Sequence, residues 1–365
     1  MQAQQILVEK TRVEAERDRA EAISEFLTEL FKGTESNNDI NRESTVQSLI
    51  DEASGRVEEG LETAPVTRVD LLFLLGNTYV TLGMDERAVE LYDQCLALRQ
   101  ELGLEMDLQG IELRRLLAGA LDLGSEGDRR RSKSLYAEVR RLATRHDEPR
   151  ELVFALTGLS ALAGLEEEPE KSLDFLQEAV RVIDSGADVS DDSKASVFND
   201  LGVHYLNNSQ IDKALPYLQR SVDAKESIHG PDSPQLSNAL NNLAGAYAGL
   251  GRFDEAARTL ERALRIHRDF YGDRSVSASV FMVNLGLYRA QGGDLEAALP
   301  LFDEAIEHFE QIQGDSSFDV AWAEQLRGTA RLVAGRTDLA TSKLLSPWIC
   351  SKCSMASSKR GSAAS

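Results

Sequence analysis

The hydrophobic positions of this chain follow a helical spacing that recurs several times. Small and large apolar residues alternate at intervals of four and three, which places them on one face of an α-helix. The clearest copies are Ala88, Tyr92 and Cys95; Ala256, Leu260 and Ala263; and Ala298, Phe302 and Ala305. A small residue lets a neighbouring helix approach, and a large one fills the space beside it, so the pattern predicts closely packed helix pairs.

A second apolar motif precedes each of these helices. It is a leucine followed by glycine or alanine, with an aromatic residue about one turn later in the clear copies, and it recurs every 42 residues. The leucine positions of this register are Leu75, Leu117, Leu159, Leu201, Leu243, Leu285 and Arg327, where arginine replaces leucine. The sequence therefore predicts seven copies of a pair, helix A then helix B, starting near residues 69, 111, 153, 195, 237, 279 and 321. The copies at 111 and 153 are degenerate.

Turn-forming residues separate the predicted helices. Between helix A and helix B stand Gly83, Gly251, Gly293 and Gly335, where glycine ends a helix in a left-handed conformation without steric cost. Between helix B and the next helix A come Gly-Pro-Asp-Ser-Pro at 230–234 and Tyr-Gly-Asp-Arg-Ser at 271–275, which supply turn formers and N-caps.

Together, the Leu-Gly-x-x-Tyr and Gly-x-Phe-x-x-Ala positions and the late alanine resemble the tetratricopeptide repeat. The 42-residue period is similar to the longer version in kinesin light chains and many bacterial repeat proteins, and it covers residues 69–345. The resemblance implies an all-α fold, a right-handed α-solenoid of about seven helix-turn-helix repeats, with a concave groove lined by the A helices. It also implies non-catalytic binding of a protein or peptide in that groove.

The segments that precede the repeats carry a different pattern. Residues 1–32 read as one long charged helix, with nine charges between Glu9 and Glu21 and an apolar residue every seven positions from Ile6 to Leu27. This is either a solvated helix that caps the array or a linker or stalk with half of a coiled-coil seam. Residues 33–68 are predicted to form a loop and a helix that packs on the first repeat.

The order of these parts has its own resemblance. The stretch from Ala20 to Phe31, the helix that follows Ser44 and the repeats resemble the region after the kinase domain in certain bacterial serine/threonine protein kinases. The alternative function is therefore the sensory or docking region of a truncated or split kinase. Residues 346–365 form a serine-rich tail that interrupts the last helix B at Ser346-Pro347, which favours a disordered end from a truncated or frameshifted reading frame.

The net charge of the chain argues against some classes of binding partner. The 40 Lys and Arg against 61 Asp and Glu give −21, which argues against binding nucleic acid or anionic lipid. Residues 111–150 reverse the balance with ten basic against seven acidic residues, which indicates either a phosphate or acidic-peptide site or a salt-bridged helix face. No apolar run reaches the roughly 20 residues of a membrane span. The prediction is a cytoplasmic chain, or an extracytoplasmic one if it is the tail of a membrane-anchored kinase.

Other motifs predict no catalysis, metal or cofactor. The triplet His267-Arg268-Asp269 matches part of a kinase catalytic loop, but the required asparagine is replaced by Arg274. Cys350 and Cys353 lack the second ligand pair that a structural zinc site needs. Cys95 stands where the repeat requires a small core residue.

Asparagines on the A helices of three consecutive copies are the candidate binding residues: Asn199, Asn207, Asn238, Asn241, Asn242 and Asn284. Asn199 and Asn241 share one repeat position, and Asn242 and Asn284 share the next. Because asparagine is a poor helix former, its repeated use there requires a reason. Either the amides hold the main chain of an extended ligand, as the kinesin-light-chain resemblance implies, or they bridge neighbouring helices.

Overall fold

The computed structural model describes residues 46–59, 64–104, 106–122, 124–314 and 317–334, together with Arg17 and Ser24. Within these ranges the chain is all-α. The helices are α1 (Val46–Glu59), α2 (Pro65–Thr81), α3 (Asp85–Glu101), α4 (Leu108–Leu121), α5 (Glu126–His146), α6 (Pro149–Leu165), α7 (Pro169–Asp184), α8 (Asp191–Asn207), α9 (Ile211–His229), α10 (Ser237–Gly249), α11 (Phe253–Tyr271), α12 (Val276–Gln291), α13 (Leu295–Gln313) and α14 (Phe318–Ala334). The predicted helix over 1–32, Gly335 and the tail over 346–365 lie outside the described residues.

The chain divides into two compact units between Glu151 and Leu152. In the first unit α2 packs on α3 and α4 on α5, and in the second α8 packs on α9, α10 on α11 and α12 on α13. These are the predicted pairs of helix A and helix B, and the all-α solenoid fold is confirmed. The first predicted helix A begins four residues early, at Pro65, where proline at the helix start is already in a helical conformation.

The leucines that recur every 42 residues lie in the hydrophobic core. The six leucines of the repeat position are between 0% and 7% exposed, including those of the two degenerate copies: Leu75, Leu117, Leu159, Leu201, Leu243 and Leu285. Arg327, at the same position of the last copy, instead donates from Nη1 to Asp303 Oδ1 at 2.8 Å.

The glycine after the repeat leucine allows the close approach of helix A to helix B. A Cβ at Gly202 would lie 2.5 Å from Leu218 Cγ, and one at Gly76 would lie 2.4 Å from Tyr92 Cε1. Both distances are shorter than any van der Waals contact, so the large residue of helix B occupies the space that a side chain would need. This confirms the packing that the small and large positions predict.

The turn from helix A to helix B takes the same left-handed conformation in five copies, with and without glycine, whereas Ser125 at the same position of the copy at 111 has φ of −60°. Gly83, Gly251 and Gly293 have φ of +72°, +73° and +92°, as expected. At the same register position Glu167 and Ser209 have φ of +58° and +57°. Because side chains disfavour this region, the packing of the two helices imposes the turn on these residues.

Helix α1, which the sequence analysis places ahead of the repeats, makes the contacts of a helix B. Contacts 28 residues apart join a helix B to the following helix A, and contacts 36 residues apart join consecutive B helices. The first set includes Asp51–Tyr79, Gln177–Tyr205, Gln219–Tyr247 and Glu261–Arg289, and the second includes Glu58–Gln94, Asp184–Arg220 and Glu226–Arg262. All members of each set fall in one 42-residue register. The repeat register therefore extends to the N-terminal side of residue 69.

Candidate functional site

Four of the predicted asparagines meet across three neighbouring A helices of the second unit. Asn199 lies on α8, Asn241 and Asn242 on α10, and Asn284 on α12. All four side chains are half-buried. They therefore occupy a strip that is packed at its sides and open on one face.

The asparagine side chains are hydrogen-bonded in series. Asn284 Nδ2 donates to Asn241 Oδ1 at 3.0 Å, and Asn242 Nδ2 donates to Asn199 Oδ1 at 2.9 Å. Two longer contacts complete the series, from Asn241 Nδ2 to Asn242 Oδ1 at 3.5 Å and from Asn199 Nδ2 to Asp200 Oδ1 at 3.3 Å. We call these five residues the asparagine ladder.

The acid at the end of the ladder sets the direction of every amide in it. An ionised carboxylate only accepts hydrogen bonds, so Asn199 must turn its NH2 group toward Asp200. Its oxygen then faces α10 and accepts from Asn242, and the same reasoning passes along the ladder to Asn284. All donors thus point toward α8, and the ladder has one orientation.

Each amide in the ladder keeps hydrogen-bonding capacity. An asparagine side chain offers two N–H donors and an oxygen with two lone pairs. Asn199, Asn241 and Asn242 each donate one hydrogen bond and accept one within the ladder. One donor and one lone pair remain on each, on side chains that solvent reaches.

Burial raises the pKa of Asp200 to about 6, from an ordinary value of 3.8. The hydrogen bond from Asn199 and the positive charge of Lys225 act in the opposite direction and are smaller effects. The carboxylate is thus held where its ionisation is penalised. The candidate residues chosen from the sequence missed Asp200, although it occupies the same repeat position as Asn242 and Asn284.

Two predicted residues lie outside the ladder. Asn207 is the last residue of α8 and Asn238 is the second residue of α10, and both are exposed. The hydrogen bonds show that the asparagines bridge neighbouring helices, which was one of the two interpretations. Binding of a ligand by the remaining capacity stays a prediction.

Sequence comparison identifies the repeats. Two family models described as Tetratricopeptide repeat match the chain, one over residues 71–105 and one over residues 193–269. The second match contains most of α8, all of α9 and α10 and most of α11, and with them four residues of the ladder. The chain is a tetratricopeptide-repeat (TPR) protein. A search of curated protein sequences finds no match.

Solved structures share the TPR fold at low sequence identity. BtubC (BKLC) from P. vanneervenii is 22% identical, with a TM-score of 0.53, over 64% of this chain and 91% of that protein. A Rap protein complexed with Competence and Sporulation Factor is 14% identical, with a TM-score of 0.51, over 79% and 80% of the two chains. The apo form of the quorum sensor NprR from B. thuringiensis is 12% identical, with a TM-score of 0.51, over 80% and 84%. These likenesses show the fold.

The basic stretch over 111–150 lies in the first unit of the TPR protein and is extensively ion-paired. Its ion pairs include Arg114–Glu138 at 3.2 Å, Arg115–Glu151 at 2.7 Å, Arg130–Glu126 at 3.5 Å and a pair between Arg131 and Asp93. Arginines with carboxylate partners are already neutralised. The geometry favours the salt-bridged helix face over a phosphate site.

The kinase-like triplet is part of the packing of α11. His267 is 8% exposed, and its Nε2 lies 2.8 Å from Ser275 Oγ, the N-cap of α12. Burial lowers the pKa of His267, and Arg268 is ion-paired with Glu304 at 2.5 Å. Both side chains hold neighbouring repeats together.

The other side chains considered as candidates for metal binding or reactivity show no such role among the described residues. Cys95 is fully buried and its Sγ donates to the carbonyl oxygen of Val69 at 3.4 Å, while Cys350 and Cys353 lie outside the described residues. The described part of the chain contains no group of three or more His, Cys, Asp or Glu that could hold a metal ion. None of its helices is long and apolar enough to cross a membrane.

Proposed function

We propose that this TPR protein is a non-catalytic scaffold whose second unit binds an extended segment of a protein partner along the asparagine ladder. The observation that supports the proposal is the row of half-buried amides on one open face, each with a spare donor and a spare acceptor. A polypeptide main chain presents the complementary groups, since every residue other than proline carries one N–H and one C=O.

The spacing of the A helices suits an extended ligand. Packed helices lie about 8–10 Å apart, and an extended chain advances about 3.3 Å per residue. The ligand would therefore move on by about three residues between α8 and α10 and again between α10 and α12. Every third residue of the ligand would meet a ladder amide through its main chain, and the residues between would be read by other side chains.

A relative of the same fold offers a precedent for a bound partner. The Rap protein of similar structure is complexed with Competence and Sporulation Factor. At 14% identity this likeness concerns the fold, so the partner of the present chain has to be found by experiment.

The test is a selection of binding peptides followed by substitution of the ladder. Peptides would be selected from a random 12-residue library on the full chain, and their affinity measured by fluorescence anisotropy. We expect Asn199→Ala with Asn241→Ala to weaken the selected peptides about tenfold or more, because each variant removes hydrogen bonds worth about 1 kcal/mol. The matched control is Gln313→Ala, which removes an exposed amide at the end of α13.

The variants must fold for the comparison to be valid. The ladder side chains are partly solvated, so water replaces the lost hydrogen bonds at small cost, and circular dichroism should show unchanged helix content. Equal affinities of the double variant, the control and the wild type would contradict the proposal.

The resemblance of the N-terminal stretch to kinase-associated regions supports a second, related proposal. The chain would then be the sensory or docking region of a truncated or split bacterial serine/threonine protein kinase, and it would act outside the cytoplasm if a membrane anchor preceded it. The motif from Ala20 to Phe31 that carries the resemblance lies outside the described residues, apart from Ser24. Sequencing of the upstream DNA tests it: a kinase reading frame supports this function, and an independent promoter and stop codon support a cytoplasmic adaptor.

A further inference from the structure

The asparagine ladder ends on a carboxylate that breaks its own pattern. Asp200 occupies the repeat position that holds Asn242 on α10 and Asn284 on α12. An amide there would have continued the series and satisfied Asn199 equally well. Beyond setting the direction of the amides, the acid therefore adds a negative charge at the α8 end of the face, and the hydrogen bonds of the ladder would form without that charge.

The helix A of the preceding copy does not extend the ladder. Thr157 on α6 occupies the position equivalent to Asn199, and its hydroxyl donates to the carbonyl oxygens of Val153 at 3.1 Å and Phe154 at 2.8 Å. In the part of the chain that the structure describes, Asn199 is the one hydrogen-bond donor recorded for Asp200.

The protein provides no close countercharge for this carboxylate among the described residues. Lys225 on α9 attracts it electrostatically but forms no ion pair with it within 4.0 Å. Helix α10, and α6 after Glu151, contain no Asp, Glu, Lys or Arg. Burial makes the charge on the Asp200 carboxylate costly, and a single weak hydrogen bond offsets only part of this cost. A cation from outside the protein would therefore stabilise the carboxylate.

We propose that the ligand of the groove carries a cationic group that binds Asp200. This group is either a lysine or arginine side chain or a free amino terminus, and the inference rests on the proposed function of the ladder. The rest of the ligand would run from α8 across α10 and α12. The net charge of −21 favours the approach of such a ligand.

The decisive variant is Asp200→Asn, which keeps the shape and hydrogen bond but removes the charge. We expect it to weaken the selected peptides at least tenfold, and to leave unchanged the affinity of the same peptides with their cationic groups neutralised. Acetylation of the amino terminus and replacement of each Lys or Arg by Gln are separate arms, so they show which cation binds. Asp174→Asn on α7, an exposed position, is the matched charge control.

The outcomes separate this inference from the proposed function. If selected peptides need Asn199 and Asn241 but show no enrichment of cationic groups and bind Asp200→Asn as tightly, the inference is overturned and the groove function stands. If they are insensitive to every ladder variant, the groove function fails as well. Enrichment of a cation together with selective weakening by Asp200→Asn supports both.

Discussion

Replacement of Asp200 by asparagine should stabilise the protein in a pH-dependent way. Burial holds the pKa of Asp200 at about 6 in the folded chain, against 3.8 when it is solvated. The folded state therefore keeps a proton that the unfolded state has lost, and stability falls as pH rises from about 4 to about 6. Above that window both states are ionised, and the loss of stability is complete.

The magnitude follows from the size of the pKa shift. Two pKa units correspond to about 3 kcal/mol, since one unit is worth about 1.4 kcal/mol. Asp200→Asn lacks this titration, so the difference in unfolding free energy between variant and wild type should grow by about 3 kcal/mol across the window. Measurements above about pH 5 avoid the isoelectric point of 4.7. Over that range the difference in unfolding free energy should still grow by about 1 kcal/mol.

Urea denaturation followed by circular dichroism between about pH 5 and pH 7.5 measures this difference. Other titrating groups are common to both proteins and cancel in the comparison. Asp174→Asn removes the same charge from an exposed position and should give a difference within about 0.5 kcal/mol at every pH. A difference for Asp200→Asn that is equally flat would show that the carboxylate is solvated, and would refute the penalised burial at this end of the ladder.

Three further sets of substitutions test the repeat packing by urea denaturation. Gly202→Ala should destabilise by about 1–3 kcal/mol because its Cβ meets the following helix B, and a neutral result would contradict the close approach. Because both turns are left-handed, Ser209→Gly should stabilise the protein by about 0.5–1 kcal/mol and Gly251→Ala should destabilise it by about 1 kcal/mol. If both substitutions changed the free energy of unfolding in the same direction, this reasoning would be refuted. Glu261→Gln with Arg289→Tyr copies the pair of the preceding repeat, so the double variant should be more stable than the sum of its single variants predicts.

The fold could be predicted from sequence because its signals are local and repeated. The leucine register identified buried positions even in the two degenerate copies, and glycine identified three of the left-handed turns. The turns at Glu167 and Ser209 carry no such signal, since helix packing imposes their conformation. Helix α1 was placed outside the repeats because its membership shows in contacts such as Tyr79 with Asp51, which only the packed structure brings together.

The site was predicted in part. The periodic use of asparagine on A helices pointed to the right residues, but their partners depend on how neighbouring helices are offset. Asn242 bonds to Asn199 and Asn284 to Asn241, each 43 residues away and not 42. This separation of 43 residues, and the end of the series at Asp200, depend on how each helix is rotated about its axis. The 42-residue period of the sequence does not give that rotation.

The central claim is that the ladder amides form hydrogen bonds with the main chain of an extended ligand. A scan of N-methylated peptides tests it most directly. Each variant of a selected peptide would lose one backbone N–H, and its affinity for the full chain would be measured beside that for Asn242→Ala. We predict losses of about tenfold at positions about three residues apart, with one of these losses absent in Asn242→Ala. Equal affinity of all N-methylated peptides would contradict main-chain recognition by the ladder.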